Sequence, residues 1–172
     1  MGCNNLYFGG VGAGPNPTGW GYWKDATHTD ASRQAITGGT RTLLTVDGLS
    51  PITETDYLSS LPNNIWSNNT INPDGIGNTY LLRIDMLASP QSGGTGHYIE
   101  LVLDIGDGAV NEIVQHATPM LKGNGITHRI SITWAIFARE TFNANGGKIY
   151  ITPDIDVQIW DKAVFLQRGF VP

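Results

Sequence analysis

The stretch Ile126-Thr127-His128-Arg129-Ile130-Ser131-Ile132-Thr133-Trp134-Ala135-Ile136-Phe137-Ala138 decides the fold class. Ile126, Ile130, Ile132, Trp134 and Ile136 fall on one parity, and Thr127, Arg129, Ser131, Thr133 and Arg139 on the other. Successive side chains of a strand point to opposite sides, so this period of two belongs to a strand with one buried face. Downstream, the residues from Phe142 to Gly147 read as a Gly/Asn turn, and Lys148 to Pro153 as another short strand. From Asp154 to Arg168, Ile155, Val157 and Ile159 alternate with polar residues. Three strands with short links predict an antiparallel meander, and hence a β core.

Composition agrees. The chain has 172 residues, enough for one domain with a sizeable hydrophobic core. It holds 22 Gly and 9 Pro, and only 15% of its residues are charged, which fits a turn-rich all-β protein better than a helical bundle. The net charge is −5 and no run of Lys or Arg occurs, so the basic footprint of a nucleic-acid binder is missing. No stretch approaches the ~20 apolar residues of a membrane-spanning helix. The only cysteine is Cys3, which excludes an intrachain disulfide and is consistent with assembly in a reducing cytoplasm. The first ten residues lack the charged and apolar regions of a secretory signal, and Leu6 stands where a myristoylation motif needs Ser or Thr.

Further strands are predicted at Thr42–Val46, Tyr80–Ala88, His97–Ile105 and Glu112–Gln115. The Gly-rich residues 90–96 read as a hairpin loop between the second and third of these. Residues 49–78, broken by Pro51, Pro62 and Pro73, read as a packed irregular section with one helical turn near Ile52–Leu58. Short strands separated by turn signals imply an antiparallel two-sheet sandwich of the jelly-roll kind. Its expected core includes Leu82, Ile84, Leu101, Leu103, Ile130, Ile132, Trp134, Val157 and Ile159. Residues 1–34 are dense in Gly and Pro and are expected to form an extended N-terminal arm; residues 35–172 form the jelly-roll domain. The arm carries Tyr7, Phe8, Trp20, Tyr22 and Trp23, which a purely disordered tail would lack. They either anchor the arm on another subunit or protein, or cover an edge of the domain's own core.

Chemistry is hard to find in the residues. His28, His97, His116 and His128 are widely spaced, without the His/Glu clustering of a metal-binding jelly roll. His128 falls on the apolar parity of its strand, as a core or interface histidine would. Cys3 has no neighbouring base to activate it. Gly10 to Gly14 is followed by Pro15 and Pro17 instead of the Lys-Ser/Thr and helix of a phosphate loop. Asp154 and Asp156 could pair as glycosidase carboxylates, but a polar solvent face accounts for them far better. Residues 74–78 lack the alternating acids of a calcium loop. No catalytic, cofactor-binding or metal-binding residue is therefore expected, and the chain reads as a non-enzyme. What stands out instead is Tyr98, Phe137, Tyr150 and Trp160, aromatic residues opposite the aliphatic faces of four strands. Oligomer interfaces are enriched in such residues, so these four are expected at a homo-oligomer interface.

The succession Ala35 to Gly48, then Ile65-Trp66, Ile71-Asn72-Pro73 and Tyr80 to Ile84, resembles small tailed-phage virion proteins, as does Ile159-Trp160-Asp161-Lys162 through Phe170. Such proteins are similar to the trimeric jelly rolls of the tumour-necrosis-factor and complement globular-head type. The resemblance implies a homotrimer in a virion assembled in the host cytoplasm: a capsid decoration protein, head fibre or tail tip. Its implied partners are a second and third copy of itself, and the major capsid protein or another virion protein. It brings no cofactor, no nucleic acid and no membrane. A competing expectation is a tail knob that reads host surface glycans with its exposed aromatics. A long fibre shaft would show heptads or β-helix repeats, and none occurs.

Overall fold

The computed structural model describes residues 19–46, 52–53, 65–93, 96–106, 110–120 and 123–169. Two antiparallel sheets face each other. The first has the order β10 (His128–Phe137), β7 (Thr79–Pro90), β12 (Val157–Arg168), β1 (Gly19–Lys24) and β4 (Ile52–Thr53), with β2 (Gln34–Ile36) paired to β12. The second has the order β5 (Trp66–Ser67), β6 (Thr70–Ile71), β11 (Gly147–Pro153), β8 (His97–Asp104) and β9 (Glu112–Met120), with β3 (Thr42–Leu43) paired to β11. One short helix, α1 (Glu140–Asn145), is present among the described residues. The all-β jelly-roll sandwich expected from the sequence is what the chain forms.

Alternation builds the core. In β10 every second residue, from Ile130 through Ile136, is buried while Arg129 to Phe137 on the other parity are exposed. The same alternation in β7 sinks Tyr80, Leu82, Ile84 and Met86, and in β8 it sinks Ile99, Leu101 and Leu103. All nine residues expected in the core lie there. Burying such side chains stabilises the fold by roughly 1.5–3 kcal/mol each. Ile65, Trp66 and Ile71 of the irregular section join the same core, as its apolar content required.

The connectivity differs from the sequence reading. β10, β11 and β12 form no meander. β10 and β12 both flank β7 in the first sheet, and β11 sits between β6 and β8 in the second. The chain crosses between sheets each time. The supposed Gly/Asn turn is α1, which packs the ring of Phe142 edge-on against Tyr80 at 6.5 Å and ends at Gly146 with φ 71°. β7 and β8 likewise belong to opposite sheets, so residues 91–96 join the layers rather than closing a hairpin. β9 runs on to Met120, beyond the expected end at Gln115. In the supposed helical turn, Ile52–Thr53 is strand and the remainder lies outside the described residues.

The N-terminal boundary moves as well. Gly19–Lys24 pairs with β12 along its whole length, from Gly19 opposite Arg168 to Lys24 opposite Ala163. Residues 19–34 are therefore part of the sandwich, and an arm ending at residue 34 is not what the chain forms there. Gly21 has no side chain where a Cβ would lie 2.3 Å from the Trp23 ring. That gap lets Trp23 fold inward against Trp66, with ring centroids 6.2 Å apart. Residues 1–18, with Tyr7, Phe8 and the Gly10–Gly14 cluster, lie outside the described residues.

The turn after β2 is fixed by a close backbone approach. A Cβ on Gly38 would lie 2.7 Å from Ile155 Cα, and the Gly38 N–H donates to Asp156 Oδ1 at 2.8 Å. Backbone cannot swing aside as a side-chain tip can. Gly38→Ala should therefore lower stability by about 1–3 kcal/mol in chemical denaturation. An unchanged midpoint would show that this turn is free to move.

Candidate functional site: the outer face of the first sheet

Registers place the outward residues of four strands in rows. Ala135, Leu81, Gln167 and Trp20 form one row across β10, β7, β12 and β1. The next is Thr133, Arg83, Phe165 and Tyr22, and the next Ser131, Asp85, Ala163 and Lys24. The last is Arg129, Leu87 and Trp160. Phe137, opposite Thr79, lies beyond the first row.

The face divides along these rows. One half is apolar. Leu81 is 40% exposed and Phe137 50%. Trp20 stacks on Phe165 with centroids 5.8 Å apart, and the Arg83 guanidinium lies 5.3 Å from the Phe165 ring. The other half is charged and concave. Tyr22, Lys24, Arg83, Asp85, Met86, Leu87, Arg129 and Asp161 line a depression of about 460 Å³. Arg83 Nε donates to Asp85 Oδ2 at 2.9 Å, and Ser131 Oγ donates to Asp85 Oδ1 at 2.6 Å. Lys24, Arg129 and the Asp161 carboxylate have no ion-pair partner among the described residues.

Asp161 reaches the depression because β12 bulges. Its register with β7 slips between Trp160 and Ala163, and Asp161 takes a φ of 48°. An aspartate tolerates this left-handed conformation better than most residues, and a bulge re-aims the side chains around it. It also turns Lys162 inward, where that residue is fully buried. Lys162 Nζ lies 2.9 Å from Asp25 Oδ2 and donates to Gln34 Oε1 at 2.5 Å. His28 Nδ1 lies 2.9 Å from the same Asp25 oxygen and 3.2 Å from Nζ. Burial pushes the Asp25 carboxyl up. Hydrogen bonds from Lys162, His28 and the Thr27 N–H, with the Lys162 charge, outweigh that and hold it below its ordinary value.

Within one chain, the four aromatics expected at a homo-oligomer interface fall on two different sheets. Phe137 and Trp160 belong to the first sheet, Tyr98 and Tyr150 to the second. Tyr98 is 44% exposed on β8. Tyr150 lies under the Arg41 guanidinium at 3.7 Å, and Arg41 also pairs with Asp104 and Glu112. Trp160 is buried within the chain beneath Arg33, 4.0 Å from its ring. Of the arm aromatics, Trp20 and Tyr22 lie on the outer face just described, and Trp23 packs against the core.

The remaining candidates have local structural partners. Asp154 accepts from His97 Nδ1 at 3.0 Å and the Tyr98 N–H at 3.0 Å. Asp156 accepts from Gly38. Asp74 binds Tyr80, Asn78 and Arg168. Burial, then the hydrogen bond to Asp74, push the Tyr80 hydroxyl up to about 12. No group of three or more metal-ligating side chains occurs among the described residues. The charged depression escaped the sequence reading, because Lys24 fell within the expected arm and Arg83 and Arg129 on the polar faces of separate strands. Only the registers bring them together.

No protein-family model matches the chain, and no curated protein does. Among solved structures, the chain is similar to the TNF protein Eiger from S. frugiperda, at 11% identity and a TM-score of 0.53 over 91% of this chain and 95% of that one. It is also similar to vertex protein P5 of PRD1, at 14% identity and a TM-score of 0.48 over 92% and 99%. A third likeness is to infectious bursal disease virus, Gx strain, at 10% identity and 0.40 over 90% of this chain and 37% of that one. At such identities the likeness to Eiger speaks for the fold alone.

Proposed function

We propose that the chain is a non-enzymatic structural protein of a virion, a homotrimer mounted on the outside of a phage capsid as a decoration protein or head fibre. The observation that carries this reading is the apolar half of the outer face of the first sheet. A sandwich sheet that faces water carries polar residues outward. Here Leu81, Phe137, Phe165 and Trp20 share one half of the face with Ala135, around the polar Gln167 and Arg83. Contiguous exposed apolar surface marks an interaction site, and a second copy of the chain is the occupant that the sequence resemblance to trimeric jelly rolls implies. The acidic net charge suits an outer surface better than contact with packaged nucleic acid.

Attachment is assigned to the residues before β1, whose Leu6-Tyr7-Phe8 cluster offers bulky anchors beside Gly9 and Gly10. A segment that orders only on binding can use such anchors. Deleting residues 1–18 should leave a folded oligomer that no longer co-sediments with undecorated capsids. Deleting residues 1–34 should abolish folding, because β1 sits between β12 and β4. Co-sedimentation of the shorter deletion at wild-type affinity would reject attachment through this segment.

A further inference from the structure

We infer that the charged depression between β1, β7 and β10 is a binding site for a carboxylate-bearing sugar. The site stands on its own geometry and does not depend on the trimer, since it occupies the rows of the outer face away from Phe137. Three features select the ligand.

The first is charge. Arg83 and Asp85 satisfy each other, which leaves Lys24 and Arg129 as cations with no ion-pair partner among the described residues, on opposite sides of the depression. Lys24 is on β1 and Arg129 on β10, three inter-strand gaps of about 4.8 Å and one row apart. Both residues line a hollow of about 460 Å³, room for a sugar ring with its substituents. A guanidinium recognises a carboxylate through two parallel N–H donors.

The second is the pair of carboxylates in the same hollow. Of these two, Asp85 is neutralised by Arg83, and Asp161, with no ion-pair partner among the described residues, would repel a dianionic phosphate. Both accept hydrogen bonds from neutral hydroxyls, which a sugar supplies in number. A ligand with one negative charge and several hydroxyls therefore fits both signs of charge present. A metal ion would meet Lys24 and Arg129, neither of them ion-paired among the described residues.

The third is a small apolar strip in a mainly polar lining. Tyr22 and Leu87 flank the polar groups, and the C–H face of a pyranose packs on such surfaces while its hydroxyls turn to the carboxylates. The bulge supports the assignment. It holds Asp161 at a φ of 48°, a conformation that an ordinary strand position would not need, and places that residue among those lining the hollow.

Saturation-transfer NMR on the full chain tests this with four probes: N-acetylneuraminic acid, the methyl glycoside of glucuronic acid, neutral methyl galactoside and inorganic phosphate. Transfer to at least one acidic sugar is expected, with none to the galactoside and no displacement by equimolar phosphate. Arg129→Ala should weaken binding of that sugar about tenfold, with an unchanged circular dichroism spectrum. Asp161→Asn removes the repelling charge and should let phosphate compete. Absence of transfer to both acidic sugars, equal transfer to the neutral one, or wild-type affinity in both Arg129→Ala and Lys24→Ala would overturn the assignment.

Discussion

Lys162→Ala is expected to destabilise the fold by about 3–5 kcal/mol, the range for removing one member of a buried ion pair. Both side chains of the pair are fully inaccessible, and Nζ lies 2.9 Å from Asp25 Oδ2. Without the ammonium, a buried carboxylate keeps His28 and two backbone N–H donors, from Thr27 and His28, but loses its countercharge. The loss reaches further than one contact. Lys162 binds Gln34 of β2 and Thr45 after β3, at 2.5 and 3.4 Å, so it ties β1, β2 and the 44–46 segment to β12. Lys162→Met combined with Asp25→Asn removes both charges while keeping an acceptor for the Thr27 N–H. It should be more stable than Lys162→Met alone. Urea denaturation measures all three variants. A cost below about 1 kcal/mol for Lys162→Ala would mean that the cluster is hydrated and not a buried pair.

The same pair sets an acid limit. The folded-state pKa of Asp25 lies below its ordinary 3.8. Its contribution is therefore fully present above the unfolded-state value and is lost as pH falls through the folded one. Asp104 behaves alike. Burial raises its carboxyl, but N–H donors from Asn111 and Gly106, then Arg41, hold it lower. Unfolding free energy should fall as pH drops below about 4, and less steeply in Lys162→Ala.

How much of this was legible in the sequence depends on what a period of two encodes. It tells which face of a strand is buried, so the core from Leu82 to Ile159 could be read directly. It does not name the strand's neighbour. Residues 91–96 look the same whether they close a hairpin or carry the chain from one layer to the other, and only the second is true. β1 was obscured by composition: Gly19 and Gly21 suggested a leader, although Trp20, Tyr22 and Lys24 alternate with Gly21 and Trp23 as a strand requires. The bulge did leave a signal. Val157 and Ile159 are buried on odd positions, Val164 and Leu166 on even ones. A parity change inside one strand requires one inserted residue, and Asp161-Lys162 is where it falls. Trp160 shows the converse limit. Its outward parity is real, yet Arg33 covers it, and no local pattern announces a cover that arrives from a distant segment.

Phe137→Asp is expected to convert the assembled protein to monomer or aggregate, on the proposal that the apolar half of the first sheet packs against neighbouring copies. Phe137 is 50% exposed and Leu81, one row away, 40%. Losing an aromatic hot spot costs about 2 kcal/mol or more at one interface, and a threefold ring repeats that loss at each of its interfaces. A buried, unpaired carboxylate adds to it. The change should spare the fold itself, since the Phe137 side chain lies on the outward parity of β10 while Ile136 and Trp134 hold the core. Tyr98→Asp is the matched control. Tyr98 is nearly as exposed, at 44%, but on the opposite sheet. If copies meet through the first sheet, light scattering should report three chain masses for the wild type and for Tyr98→Asp, and no trimer for Phe137→Asp. A wild-type mass of one chain rejects the trimer. A trimer lost in Tyr98→Asp and kept in Phe137→Asp moves the interface to the second sheet, where Tyr150 and Arg41 would become its centre.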